Sequence, residues 1–203
     1  VHPLQVVLAE NRHELQARIL LAAAYIEQNK PREALRELEI AGRDHSTNAL
    51  VRAAMGDAYW SLKEWDNAAA AYARATLADP KFASAWANLG AAYLNGGHAS
   101  QAIAPLEHAI GLEPADPGHH YNLGLVYLEV ERFAEAVRSF RAALELSPDN
   151  PLALLHRGYA YQRLGKVDSA RADYRRVLSV PEGAADAQTL KDARRFLSEL
   201  PDR

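Results

Sequence analysis

A chain of 203 residues with 49% apolar and 24% charged residues has the balance of a folded globular protein, which excludes a natively disordered chain. Its net charge of −3, with acidic and basic residues interspersed, lacks the basic stripe of a nucleic-acid binder. The absence of cysteine excludes disulfides, thiolate metal sites and a cysteine nucleophile, and it leaves cytoplasm and bacterial periplasm equally open. No apolar run approaches the ~18 residues of a membrane span.

The chain opens at Val1 without a basic-then-apolar leader and reads as a processed form or a piece of something longer. Residues Pro3 to Ala9, with Leu4, Val7 and Leu8, match the tail of a helix from a preceding unit, so residues 1–14 are expected to be such a stub. From Leu15 the chain repeats itself. Tyr25, Tyr59, Tyr93, Tyr127 and Tyr161 are spaced by 34 residues, as are Ala34, Ala68, Ala102, Ala136 and Ala170. Pro80, Pro114 and Pro148 share the interval, giving five units over 15–48, 49–82, 83–116, 117–150 and 151–184 without insertion.

Within each unit, positions 4, 7, 8 and 11 follow the i, i+3, i+4, i+7 rule and form one helical stripe, and positions 20, 24 and 27 form a second. Two helices of about 14 residues, each about 21 Å long, must then fold back through a short turn. Asn95-Gly96-Gly97 and Leu164-Gly165-Lys166 have the composition of such turns, and pair boundaries are expected near 29–31, 63–65, 97–99, 131–133 and 165–167. Gly56, Gly90, Gly124 and Gly158 sit mid-helix, where they allow close helix approach and do not form a phosphate cradle. Ala185 to Leu200 adds one amphipathic helix with Leu190, Ala193, Phe196 and Leu197 on its apolar stripe, so 185–203 is expected to cap the array. The total is eleven complete helices, a partial one at the start and no strand.

Some positions depart from the repeat. Pro31 opens a second helix, where a missing N–H costs little, and Ser46 stands where proline recurs. Pro105 falls inside a helix and is expected to kink it. Arg157 occupies an apolar stripe position and is expected to snorkel past Tyr161.

The units resemble the tetratricopeptide repeat (TPR) family, whose pattern has a large residue at position 4, Leu-Gly or Leu-Ala at 7 and 8, Tyr at 11, Ala at 20 and 27, and Pro at 32. The third unit carries Trp86, Leu89, Gly90, Tyr93, Ala102, Leu106, Ala109 and Pro114; the fourth carries Leu123, Gly124, Tyr127, Phe133, Ala136, Phe140, Ala143 and Pro148. The resemblance covers about five sixths of the chain. It implies an all-α fold, a right-handed α-solenoid or superhelix of helix-turn-helix repeats, with the first helix of each pair lining a concave side.

No catalytic constellation stands out. His119 and His120 are adjacent and point about 100° apart on a helix, so they cannot chelate together. His13-Glu14 lacks the second histidine of a zinc protease, and no nucleophile elbow or phosphate loop occurs. The chain is expected to be no enzyme, with no metal and no cofactor.

The side of the first helices opposite the packing stripe should be polar on a plain surface helix. Here it carries Ile19 and Ile26, then Leu50 and Trp60, then Leu94, then Tyr121, Leu125 and Leu128, then Leu152, Leu155 and Tyr159. The outward side of the second helices is charged, with Glu135, Arg138, Arg141, Arg175 and Arg176 among its residues. The resemblance places the apolar side in the groove, where Asn88 and Asn122 add amides that can serve a bound peptide backbone or, alternatively, cap a local helix carbonyl. The competing reading is that neighbouring first helices bury the apolar side against one another. The carboxylate clamp by which some TPR grooves hold acidic chaperone C-termini is absent: Ile19/Ala23, Ala53/Asp57 and Ala87/Ala91 replace its first pair. The expected function is a scaffold that binds an apolar or amphipathic segment of a protein partner in the groove. Two alternatives are a self-assembling structural factor, hence a homo-oligomer, and the substrate-recruiting arm of a larger enzyme such as a glycosyltransferase.

Overall fold

In a computed structural model, residues 15–44, 47–181 and 183–201 are described. The expected stub at 3–9, His13-Glu14 and Ser46 lie outside them. Among the described residues every regular element is a helix. They are α1 (Leu15–Glu27), α2 (Pro31–Asp44), α3 (Ala49–Ser61), α4 (Trp65–Ala78), α5 (Ala83–Asn95), α6 (Ala99–Leu112), α7 (Pro117–Glu129), α8 (Phe133–Leu146), α9 (Pro151–Arg163), α10 (Val167–Ser179) and α11 (Ala187–Glu199). The fold is that of an all-α, TPR-type helical repeat. Helix α6 continues through Pro105 from Ala99 to Leu112.

Local chemistry explains where the helices begin and end. Asn48, Asn150 and Asp186 each accept the backbone N–H three residues on (Val51, Ala153 and Thr189), and Asp116 accepts that of Gly118. Such N-caps satisfy orphan donors of the first turn. Pro117 and Pro151 occupy first-turn sites where no N–H is needed. Each first helix stops in one way. Asn29, Lys63, Gly97, Glu131 and Gly165 adopt φ of 57°, 59°, 80°, 55° and 70°. The next residue's N–H then reaches back to a tyrosine carbonyl: Lys30 to Tyr25, Glu64 to Tyr59, His98 to Tyr93, Arg132 to Tyr127 and Lys166 to Tyr161, at 2.8–3.0 Å. This is a Schellman ending, with the left-handed residue just past the helix.

The chain divides into two compact units, residues 1–108 and 109–203. In the first, α1 packs on α2, α2 on α3, α3 on α4 and α4 on α5, while α1 and α3 also touch. Ala22, Ala34, Leu38, Ala41, Val51 and Ala58 form one core cluster, and Ala68, Ala69, Tyr72, Leu89 and Ala92 form another. In the second unit, α7 packs on α8, α8 on α9, α9 on α10 and α10 on α11. Helix α11 also reaches α9, as a further first helix would. Its Ala193 and the following Leu200 join Leu154, Ala170, Tyr174 and Val177 in one core, with Leu190, Phe196 and Leu197 packed against it.

The mid-helix glycines face the largest core side chains. A Cβ on Gly56, Gly124 or Gly158 would lie 2.5–2.6 Å from the ring of Tyr72, Phe140 or Tyr174 respectively, and one on Gly90 would lie 2.5 Å from Leu106. Those rings are essentially fully buried. Burying each stabilises the fold by ~1.5–3 kcal/mol, a gain that requires the opposing helix to lack a side chain there.

Arg157 does not snorkel. Its guanidinium makes a two-pronged bond to Asp173 on α10, at 2.8 and 2.7 Å, and only 16% of its side chain is exposed. A charged group can enter the packing layer here because α10 supplies the matching carboxylate. The same logic joins buried Arg18 of α1 to Glu37 of α2 at 2.6 Å.

Candidate functional site

The first-helix residues singled out in the sequence are placed unevenly. In residues 1–108, Leu50 is the most open at 51% exposed, while Ile19 and Ile26 are half-buried against the α1–α3 core. Trp60 is half-buried and meets Trp65 of α4 edge-on, ring centroids 5.0 Å apart. Asn88 and Leu94 on α5 are half-buried.

In residues 109–203, Tyr121, Asn122, Leu125 and Leu128 on α7 are half-buried, as is Tyr159 on α9. Tyr121, Leu125 and Leu128, spaced four and three residues apart, share one face of α7. Leu155 is buried and belongs to the core shared with α10 and α11. Its neighbour Leu152, one turn earlier, is 39% exposed. Burial of the apolar side is therefore partial.

The two tyrosines of this face pack against neighbouring side chains. Tyr121 packs against Phe140 and His156 at centroid distances of 5.8 Å each, and burial pushes its phenol pKa up to about 12. His156 Nδ1 lies 2.7 Å from the Leu152 carbonyl, which only accepts, so the ring carries a proton on Nδ1. The Tyr121 oxygen sits 3.3 Å from the same nitrogen. Burial lowers the His156 pKa, keeping the imidazole neutral in this apolar setting. Tyr159 accepts a 2.9 Å bond from Arg163 and faces Phe196 of α11 at 6.0 Å.

The outer face of the second helices is charged as expected, with Arg138, Arg141, Arg175 and Arg176 exposed, but Leu77 at the end of α4 is an exception at 82% exposed. Two features escaped sequence reasoning. One is a polar cleft of about 220 Å³ between α3 and α4, lined by Arg52, Met55, Tyr59, Asn67 and Arg74. The other is a group of possible metal ligands, Glu113, Asp116 and His119. Its signal was the side chain at the third repeat position, where histidine replaces alanine or valine. His120, by contrast, bonds the Pro114 carbonyl at 2.9 Å, just as Trp86 bonds that of Pro80.

Among the described residues, no helix is long and apolar enough to cross a membrane. Tetratricopeptide-repeat family models match residues 83–116 and 121–188, and a TPR-repeat model matches residues 56–97. No curated protein matches the sequence. Similar solved structures include YrrB, described as a TPR protein with an unusual peptide-binding site, at TM-score 0.77 and 18% identity over 95% of this chain and 97% of that one. MamA from Desulfovibrio magneticus RS-1 superposes at TM-score 0.76 and 22% identity, over 81% of this chain and 93% of that one. The Pseudomonas aeruginosa pilF protein gives TM-score 0.74 and 23% identity, over 90% and 84%. At these identities the likeness is one of fold.

Proposed function

The chain belongs to the tetratricopeptide-repeat family, and we propose that it is a non-catalytic protein-interaction scaffold whose first helices hold an apolar or amphipathic segment of a partner. The observation that carries this reading is the face of α7 and α9. Tyr121, Leu125, Leu128 and Tyr159 are only half-buried there, and packing fixes both tyrosines before any ligand arrives. Rigid, partly exposed aromatic rings are what interface anchors require, because little side-chain entropy is lost on binding. In residues 1–108, Trp60 with Trp65 offers a second anchor of the same kind. The fold neighbour YrrB, with its peptide-binding site, supports the general mode.

The test is selection of peptides from a displayed library on the full chain, followed by affinity measurement on variants. Tyr121→Ala and Tyr159→Ala should each weaken a selected apolar peptide by about 2 kcal/mol. Arg138→Ala, on the charged outer face, should change nothing. Equal losses from both faces in variants with wild-type helicity would overturn the reading.

A further inference from the structure

We propose that Glu113, Asp116 and His119 form a binding site for a divalent transition-metal ion of the zinc type, at the turn leading into α7.

The repeat supplies an internal control. The third position of the five units holds Ala17, Val51, Ala85, His119 and Ala153, and all five are buried. Four units fill this slot with a small apolar side chain; the fourth puts an imidazole there, with 8% of it exposed. Burying a polar ring in an apolar slot is unfavourable unless its nitrogens are satisfied. The ring's Nε2 faces Glu113 Oε2 at 3.4 Å. That separation exceeds the ~2.7–2.9 Å of a good charge-assisted bond. It does match the edge of a coordination tetrahedron, since ligands ~2.0–2.1 Å from a zinc ion lie about 3.3 Å apart.

Asp116 completes the set. Its Oδ1 accepts the Gly118 N–H at 2.7 Å, which orients the carboxylate and leaves Oδ2 free to ligate. A ligand held by a hydrogen bond to its other atom is the usual outer-shell arrangement of metal sites. One donor atom from each of the three residues lies within 4.8 Å of the others. Glu113 is the adjustable member, with 57% of its side chain exposed. His120 is committed to the Pro114 carbonyl and takes no part.

The matching positions elsewhere are Asp79, Phe82 and Ala85, or Ser147, Asn150 and Ala153, so neither neighbouring turn repeats the triad. One imidazole and two carboxylates suit zinc and its first-row neighbours, and three protein ligands leave a fourth position for water.

The experiment is calorimetric titration of the full chain with zinc chloride, with cobalt chloride as a visible-absorption probe. One ion per chain should bind saturably. His119→Ala should abolish that binding; because alanine already fills this slot at Ala85 and Ala153, the variant should keep its helicity. Glu113→Gln and Asp116→Asn should each weaken binding by about tenfold or more. Failure to bind zinc, or equal affinity in His119→Ala, would overturn the proposal, the latter by assigning the ion to other histidines.

Discussion

Phe140 lies so close to Gly124 that a Cβ on the glycine would sit 2.5 Å from its ring. The corresponding pair in the first repeat is Ala22 with Leu38, both fully buried. Helix spacing in this fold is thus set by matched sizes across each hairpin. Gly124→Ala gains ~1 kcal/mol of helix propensity but overpacks by ~1–3 kcal/mol, so urea denaturation should show a net loss. The double variant Gly124→Ala/Phe140→Leu, which copies the first repeat's pair, should recover most of it. If the single variant is as stable as wild type, the contact is softer than its geometry implies.

Two other glycines separate space from backbone strain. Apart from the adjoining backbone, nothing lies within 4 Å of where a Cβ would stand on Gly111 or Gly165, but Gly165 has φ +70° and Gly111 is helical. Gly111→Ala should therefore stabilise by up to ~1 kcal/mol, from helix propensity. Gly165→Ala should destabilise by ~1 kcal/mol, because a left-handed backbone crowds Cβ against the following carbonyl. Thermal melts of both variants check the opposite signs.

Arg157 and Asp173 stand or fall together. Asp173 is 5% exposed, so Arg157→Ala strands a carboxylate in the packing layer and should cost roughly 3 kcal/mol. Arg157→Leu/Asp173→Leu restores the apolar stripe found at Leu89 and Leu123 and should be close to neutral. A double-mutant cycle measured by denaturant unfolding tests this, and additive losses would refute the coupling.

The last helix should loosen in acid. Asp186 caps α11 through bonds from the Thr189 N–H and hydroxyl, at 2.7 and 3.0 Å, and these hold its carboxyl below the usual carboxylate range. A pKa depressed on folding contributes stability above the unfolded value, and that stability is lost as pH falls through the folded value. Hydrogen exchange should show α11 losing protection across the acidic range before α8 does. Asp186→Asn keeps a capping acceptor and should flatten the cap's pH dependence.

Deleting residues 185–203 should expose one side of the α9–α10 pair. Tyr174 packs against Phe196 at 5.6 Å, and Leu190 and Leu197 cover the same cluster. Loss of this cover should fray α10 and promote aggregation while α3 and α4 stay protected, since each helix of a repeat array rests mainly on its neighbours. Hydrogen exchange on the truncated chain is the measurement, and full protection of α10 would exclude a capping role.

Helix positions, turn positions and the close-packed glycines were legible in the sequence because each rests on short-range periodicity, a stripe at 3.6 residues per turn that recurs every 34 residues. The apolar residues of the first helices were legible only as a side of a helix. Whether Leu155 is buried while Leu50 stands 51% open depends on what the adjoining helices cover, and no local pattern encodes that. Arg157 beside Asp173 and His119 beside Glu113 and Asp116 were likewise decided by tertiary structure. A charged or polar side chain is tolerated inside only when the fold brings its counterpart within bonding distance, and that counterpart lies on another helix or across a turn.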